Sequence, residues 1–276
     1  MPSEGRALAF GESASRTLAA GRAGTVVAVF ARAAYLDFEG DFAILVPKEV
    51  PNGPLHVRLE RLPPLTVGTW ARCPSGVLAI DGHRWLIPVE PWKPVCPADV
   101  LSAAPLLSDV VRHRPVLDMV AGSAGDIDDW LVPLISQGHF ADACTRLFGS
   151  GAGLTPSGDD VAAGILLVVA LAGSTDPELL RQLAARAPTH AISRAFLRAA
   201  AEGQSIEPIH TLLLAASVGD ERLAAEAMKQ LAAVGHTSGL DLAAGVRAAL
   251  VALAARARSA DRTPRDTISI QAQRVL

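Results

Sequence analysis

Residues 149–173 read GSGAGLTPSGDDVAAGILLVVALAG, which is a glycine-rich loop, a polar corner and then an apolar run. Three glycines in the first five residues let the backbone take positive φ angles and let other groups approach closely, because glycine has no Cβ. Ser157 stands where a helix N-cap belongs, with Asp160 three residues later as the second half of a capping box. The stretch therefore predicts a buried helix over residues 161–172, with its polar N-terminal corner held against the core.

A related sequence lies 81 residues downstream, where residues 236–246 read HTSGLDLAAGV against TPSGDDVAAGI at residues 155–165. Six of the eleven positions are identical, including a Ser-Gly-x-Asp core and an Ala-Ala-Gly at equal spacing. In each copy a glycine, Gly164 or Gly245, falls about two helical turns after the serine, where a missing side chain lets helices pack closely. We expect the two helices to cross at these glycines, so that both polar N-termini face one shared cleft.

The polar residues of these two helix starts, together with a third start at residues 189–193 (THAIS), form the predicted site. The predicted catalytic residues are Asp159, Asp160 and His236. The predicted substrate-binding residues are Gly151, Gly153, Thr155, Ser157, Gly158, His190, Ser193, Thr237, Ser238 and Gly239. A metal ion such as Mg²⁺ would use Asp159, Asp160 and Asp241.

The charge of the ligand stays open at this stage. A glycine loop that leads into a helix N-terminus favours an anion, because free N–H groups and the helix dipole point at it. Asp159 and Asp160 already place negative charge there. Either these carboxylates point away into caps, or a cation bridges them to a phosphate, or one is a general base whose pKa is raised by its neighbour. Capping boxes need no ligand at all.

The N-terminal part of the chain is β-like. Short runs rich in β-branched and aromatic residues alternate with turn sequences such as Glu39-Gly40-Asp41 and Asp81-Gly82. We expect one short helix at residues 12–20 and about six strands in a small antiparallel barrel or sandwich. The alternation of residues 55–62 (LHVRLERL) predicts a strand with one mostly solvated face.

Residues 88–98 carry four prolines in eleven positions, which neither a helix nor a central strand tolerates. We therefore expect a β-rich domain over residues 1–95 and an all-helical domain over residues 96–276, an α+β fold. The predicted helices cover residues 99–120, 127–147, 158–172, 176–187, 189–202, 206–216, 220–234 and 239–258. The polar segment 259–276 predicts either disorder or an edge strand.

Composition narrows the class of protein. The chain has 25 basic and 28 acidic residues without a basic block, which argues against a nucleic-acid partner. Its three cysteines are scattered and form no CxxC pair, so we take them as structural residues of a reducing cytoplasm, without a partner histidine. Without a leader-like N-terminus or a long apolar run, we expect a cytoplasmic protein with no membrane contact.

The motifs GLTPSGDD, THAIS and GHTSGLDLAAG together resemble a bacterial family that includes AllH, a subunit of oxamate carbamoyltransferase. The resemblance implies a role in purine degradation or related nitrogen metabolism, and an activity that needs partner subunits. That enzyme interconverts oxalurate and phosphate with oxamate and carbamoyl phosphate, which are small anions. The chain departs from the family at Ala152 in the glycine loop and at Leu240, where a second acid is missing; the latter weakens a metal site at the second helix start.

The expected function is therefore that of a carbamoyltransferase subunit that binds oxamate, oxalurate or carbamoyl phosphate. Two alternatives remain. The first is a non-catalytic interaction subunit whose motifs are helix caps. The second is a stand-alone metal-dependent amide or ureido hydrolase, or a carboxylase-like enzyme. The shared cleft requires Ser157 and Ser238 to lie close together.

Overall fold

The computed structural model describes residues 4–19, 21–111 and 128–261. Over these residues the chain forms an N-terminal curled sheet of nine strands, followed by C-terminal helices. The α+β fold class predicted from the sequence is confirmed. The division into two domains near residue 95 stays a prediction.

The sheet has the order β1-β9-β8-β7-β3-β4-β5-β6-β2. Its strands are β1 (Glu4–Arg6), β2 (Ala9–Phe10), β3 (Ala23–Phe30), β4 (Ala33–Phe38), β5 (Asp41–Pro47), β6 (His56–Leu59), β7 (Trp70–Arg72), β8 (Val77–Ile80) and β9 (His83–Leu86), with helix α1 (Glu12–Ala19) after β2. Most neighbours are antiparallel, as expected, but the pairs β1–β9 and β5–β6 are parallel. Because β5 and β6 are parallel, the chain must return from the end of β5 to the start of β6, and residues 48–55 make this connection.

The first segment of the chain joins the two edges of this sheet. Ala7 donates its N–H to the Leu86 carbonyl over 2.9 Å, and Leu8 donates to the Arg58 carbonyl over 2.8 Å. β1 and β2 are close in sequence but stand at opposite ends of the strand order, so the sheet must curl until its edges meet at this segment. The curled sheet encloses a core that includes Val26 and Leu36.

The helical part covers one outer face of the sheet. Phe42 and Ile44 of β5 form a buried cluster with Ile192 and Ala195, which follow in the helical half. His56, on β6, is only 9% exposed. The expectation of a mostly solvated face for residues 55–62 holds at Glu60, which is exposed, but not at His56, because alternation shows which residues share a face and not what covers that face.

The helical part begins with a 3-10 turn (Val100–Ala103). Its helices are α2 (Ala104–Val110), α3 (Asp128–Ser136), α4 (Phe140–Leu147), α5 (Ser157–Leu171), α6 (Pro177–Ala185), α7 (Ala191–Ala201), α8 (Glu207–Ser217), α9 (Glu221–Ala232) and α10 (Ser238–Asp261). The single helix predicted over residues 127–147 is two helices, because Gly138 takes a φ of 90° and ends the first one. The predicted end of the 99–120 helix and residues 262–276 lie outside the described residues.

Helices α5 and α10 cross at the centre of this part, at the glycines that the sequence indicated. A Cβ added to Gly164 would overlap the carbonyl oxygen of Leu242, and a Cβ added to Gly245 would overlap that of Val161. Leu242 and Gly245 each lie 81 residues after Val161 and Gly164. The contact is therefore reciprocal, as if a twofold axis related the two motif helices. The predicted crossing is confirmed.

Over Ser238–Ala260, α10 is long and apolar enough to cross a membrane by length and composition, with a mean hydropathy of 1.5. In this fold 78% of that stretch is buried against other elements. Its apolar surface is therefore used for packing in the helical core.

Candidate functional site

The N-termini of α5 and α10 meet side by side. The hydroxyls of Thr155 and Ser238 share a hydrogen bond of 3.3 Å, and those of Ser157 and Thr237 share one of 3.4 Å. Because each crossing glycine lies about two turns into its helix, the crossing brings both helix starts to the same side. The two copies of the motif thus contact each other as the shared-cleft hypothesis required.

The capping-box interpretation of the first motif was wrong. Ser157 is the first residue inside α5, and the N-cap position belongs to Pro156, without a side-chain cap bond. The Pro156 carbonyl accepts hydrogen bonds from the N–H groups of Asp159 and Asp160. Since Ser157 does not cap its own helix, its hydroxyl is available to reach across to the second motif.

Asp159 connects the glycine loop to α7. This residue is 1% exposed. One carboxylate oxygen accepts the Gly149 N–H over 2.8 Å, and the other accepts the Ser193 hydroxyl over 2.6 Å as well as the Thr189 hydroxyl. Three donors satisfy this carboxylate within the protein, so its role is to hold three segments together.

Several glycines of the motif are required by close packing. Gly151 takes a φ of 117°, and a Cβ there would lie 2.8 Å from the Ser157 nitrogen. A Cβ at Gly158 would overlap the Leu147 carbonyl, and one at Gly239 would overlap the Leu231 carbonyl. The glycine loop therefore packs against the protein's own helix starts, whereas Gly153 is exposed and a Cβ there would meet no described residue within 4 Å.

A cavity of about 400 Å³ lies between the sheet and the helical part. Four residues of the predicted site line it: Thr155, Asp160, Ser238 and Gly239. The sheet half also contributes lining residues that were not predicted from the sequence, including Phe30, Arg32, Tyr35 and His56. Nothing in the sequence indicated that the helices cover the face of β4 on which Tyr35 lies.

Asp160 is an acidic residue that lines this cavity. Its Oδ2 atom is shielded from solvent and has no hydrogen-bond partner among the residues that the structure describes. Burial raises the pKa of Asp160 well above its usual 3.8, the Ser238 hydroxyl opposes this rise, and the carboxylates of Asp241 and Asp159 add to it. The net direction favours the neutral acid, because the cost of desolvating the carboxylate outweighs the opposing hydrogen bond from Ser238.

The sheet contributes neutral polar groups to the opposite wall. Burial raises the pKa of Tyr35, so its phenol keeps its proton. Burial lowers the pKa of His56, and its Nδ1 lies 2.9 Å from the Pro51 carbonyl, which selects a neutral ring with the proton on Nδ1. Arg32 is the one lysine or arginine among the described residues that line the cavity, and it is exposed.

Cys96 and His210 are neighbours in space, contrary to the expectation that no cysteine has a partner histidine. The Sγ atom of Cys96 lies 3.5 Å from Nδ1 of His210, whose Nε2 accepts the Ser205 N–H over 3.0 Å. Nδ1 therefore carries the proton and cannot take one from the thiol. Burial lowers the pKa of His210 to about 4 and raises that of Cys96. The pair holds Ser205 at the cavity wall and is not an activated nucleophile.

The other predicted site residues lie elsewhere. His190 and His236 are exposed and do not line the cavity, and the His190 side chain caps no helix. Asp241 is fully buried, outside the cavity lining. Within the described residues no three His, Cys, Asp or Glu side chains group as metal ligands. Both carboxylate oxygens of Asp159 already accept hydrogen bonds from protein donors, so this residue is a poor ligand for Mg²⁺ in the present arrangement.

The fold and the site thus define an α+β protein with a mixed polar and apolar cavity, whose polar corner is built by two repeated helix starts. Residues 147–250 match the model of the family described as oxamate carbamoyltransferase subunit AllH. The match spans both motifs and all the helices between them. It confirms the resemblance seen in the motifs over these residues. No solved structure matches the chain.

Proposed function

We propose that this chain is a cytoplasmic subunit of an oxamate-carbamoyltransferase-type enzyme that works with partner subunits. In this proposal the cavity between the sheet and the helices binds oxamate, oxalurate or carbamoyl phosphate. The main support is that the range matched by the family model, residues 147–250, includes the residues that form the polar corner of the cavity. Thr155, Asp160 and Ser238 all fall within it.

The described groups can bind and orient such a substrate. The N-termini of α5 and α10 favour electron-rich atoms at the corner through their dipoles. The Thr155 and Ser238 hydroxyls each donate or accept hydrogen bonds, and Arg32 supplies a positive charge at the exposed end. The cavity is bounded mainly by apolar side chains, which exclude water from the bound substrate.

Calorimetric titration of the purified chain with oxamate, oxalurate and carbamoyl phosphate tests this function. We expect at least one to bind, and Ser238→Ala to weaken that binding by about tenfold because a buried substrate atom loses its partner. Ser217→Ala is the matched control, since the Ser217 hydroxyl donates to the Leu214 carbonyl at the end of α8 and does not line the cavity. If none of the three compounds binds, alone or with partner subunits present, the proposal fails.

The packing roles of Asp159 and the motif glycines favour a second function, that of a non-catalytic interaction subunit. In that case the motifs only hold the helices together. Ser238→Ala and Tyr35→Phe would then leave the carbamoyltransferase activity of the assembled enzyme unchanged, whereas a substrate-binding cavity predicts that both variants raise KM. Steady-state kinetics of the assembled enzyme separate the two functions.

A further inference from the structure

Three buried polar side chains in the cavity lining have atoms without a partner in the protein. His56, Gln204 and Ser205 line the cavity, and each is only 9% exposed. Within the part of the chain that the structure describes, the Gln204 amide, the Ser205 hydroxyl and the His56 Nε2 atom make no hydrogen bond. Buried donors and acceptors are rarely left unpaired, because an unsatisfied group is costly. Their partners therefore come from outside the protein.

These atoms can be reached from the cavity, unlike Oδ2 of Asp160. That oxygen is both unpaired and sealed from solvent, whereas none of the unpaired atoms of His56, Gln204 and Ser205 is sealed in this way. They thus keep accessible surface, and the cavity is the space that the three residues share. A molecule that occupies the cavity can bond to them.

Two loops bring these side chains together. Gln204 and Ser205 follow α7, whereas His56 follows the connection between β5 and β6. The loops are joined by Asn52 and Glu207: the Glu207 N–H donates to the Asn52 carbonyl over 2.9 Å, and the Asn52 side-chain amide donates to the Glu207 carboxylate over 2.9 Å. The three polar side chains therefore lie on one wall of the cavity, held by contacts between the sheet and the helical part.

The His56 ring is fixed by its own loop. Its Nδ1 atom lies 2.9 Å from the Pro51 carbonyl, to which it donates. The ring also packs on Gly53, since a Cβ there would lie 2.8 Å from the same nitrogen. With Nδ1 engaged and the ring unable to turn, Nε2 is the nitrogen left for a ligand.

This group of side chains has donors and acceptors but no charge. Amides and hydroxyls do not ionise at ordinary pH, and burial lowers the pKa of His56, so its ring stays neutral. Two charged residues of opposite sign, Arg58 and Glu207, lie nearby, but both bond to Asn52 and neither lines the cavity. An anion bound here would lose its hydration without a counter-charge in the lining. An amide, which has N–H donors and a C=O acceptor, fits these groups.

The remaining lining favours an apolar body on the ligand. The aromatic rings of Phe30, Tyr35 and Phe196 line the cavity, and Phe30 is 52% exposed. Covering such a ring removes apolar surface from water, which is favourable. The volume of about 400 Å³ falls in the range of sites that bury drug-sized molecules.

We propose that His56, Gln204 and Ser205 form a subsite that binds an uncharged amide-like group carried on an apolar body. The ligand class comprises carboxamides, ureas and lactams with a ring or hydrocarbon substituent. The subsite goes beyond the proposed function, because it lies outside the polar corner at Thr155 and Ser238 and does not require oxamate, oxalurate or carbamoyl phosphate.

Benzamide and benzoate test the subsite, because they share a ring and differ in whether the polar group is a neutral amide or a carboxylate. In a nuclear magnetic resonance titration of the full chain, we expect benzamide to bind about tenfold more tightly than benzoate or better. Benzamide should also shift the side-chain NH₂ signals of Gln204. If benzamide does not bind, or if benzoate binds equally well, the subsite is overturned.

Gln204→Leu separates binding from folding. Because the Gln204 amide has no partner among the described residues, its replacement by an apolar side chain of similar size should not lower the midpoint of urea unfolding. Benzamide affinity should nevertheless fall about tenfold. Gln182→Leu is the matched control, since the Gln182 amide donates to Glu178 on α6 and does not line the cavity. Ser205→Ala should weaken benzamide binding as well.

Unchanged benzamide affinity in both Gln204→Leu and Ser205→Ala would show that these side chains do not bind it. The proposed function is tested separately. If benzamide binds as described and oxamate, oxalurate and carbamoyl phosphate all fail to bind, the subsite stands and the proposed function is wrong. If one of those three compounds binds and benzamide does not, the function stands and the subsite is wrong.

Discussion

The starts of α5 and α10 share most of their sequence but differ in what they contact. Both place a glycine at the crossing and a serine hydroxyl across the junction. Only the first start has an acid after its Ser-Gly pair: Asp159 binds the glycine loop and α7, whereas the equivalent Leu240 is a partly buried apolar residue. The shared residues thus build the crossing, and the position that differs anchors one of the two starts.

The second acid of each motif also differs in its surroundings. Asp160 lines the cavity, whereas the equivalent Asp241 is fully buried outside its lining. A twofold arrangement of helices therefore does not make a twofold site, because sheet residues line the cavity beside Asp160 but not beside Asp241. Identical residues acquire different chemistry from what packs on them.

The largest expected effect is on the shared feature, the crossing. Gly245→Ala and Gly164→Ala should each lower the free energy of unfolding by about 3 kcal/mol or more, because the new Cβ overlaps a backbone carbonyl that cannot rotate away. Gly5→Ala is the control, since a Cβ there would meet only the Trp85 ring edge at 3.6 Å. Urea unfolding measures all three. A change below about 0.5 kcal/mol in either helix variant would contradict the reciprocal crossing.

The next effect should appear in the first motif alone. Asp159→Ala removes the acceptor for three donors, and we expect a loss of about 2–3 kcal/mol in unfolding free energy. Hydrogen exchange at the Gly149 amide should become faster, because that N–H loses its acceptor. Leu240→Ala, the equivalent change in the second motif, should leave this amide protected. Equal exchange in both variants would show that the two starts are anchored alike.

Asp160 should make the free energy of unfolding depend on pH. Its raised pKa means that the folded protein holds a proton which the unfolded chain, with a pKa near 3.8, releases. The associated stability is complete below the unfolded pKa and is lost as pH rises through the folded pKa. Asp160→Asn cannot ionise, so its unfolding free energy relative to the unmodified chain should increase over this window. Urea unfolding across the pH range checks the sign; a constant difference would mean that folding leaves the pKa of Asp160 unchanged.

The smallest effect concerns Ser157. Because its hydroxyl makes only a 3.4 Å bond to Thr237 and caps no helix, Ser157→Ala should cost about 0.5 kcal/mol. Asp220→Ala removes a true cap, in which the carboxylate accepts the Leu223 N–H over 2.9 Å, and should cost about 1 kcal/mol. If thermal and urea unfolding show a larger loss of stability for Ser157→Ala than for Asp220→Ala, Ser157 caps its helix after all.

Particular residues show how far sequence reasoning reached. Gly164 and Gly245 revealed the crossing, because equal spacing after equal helix starts is a local pattern. The role of Asp159 was hidden, because its donors Thr189 and Ser193 lie 30 and 34 residues away. The cap at Ser157 was assigned wrongly, because the Pro156 carbonyl already accepts the N–H groups of the first turn.

The sequence by itself determined the order of sheet and helices, the two related helix starts and the family they resemble. Those features follow from the period of apolar residues, from glycine's missing side chain and from short motifs, all of which are local. Only the tertiary structure decided that Asp159 meets donors while Asp160 faces a cavity, and that Tyr35 and Arg32 from the sheet complete that cavity. Whether a carboxyl group is charged depends on the atoms packed around it, and these come from segments that are distant in the chain.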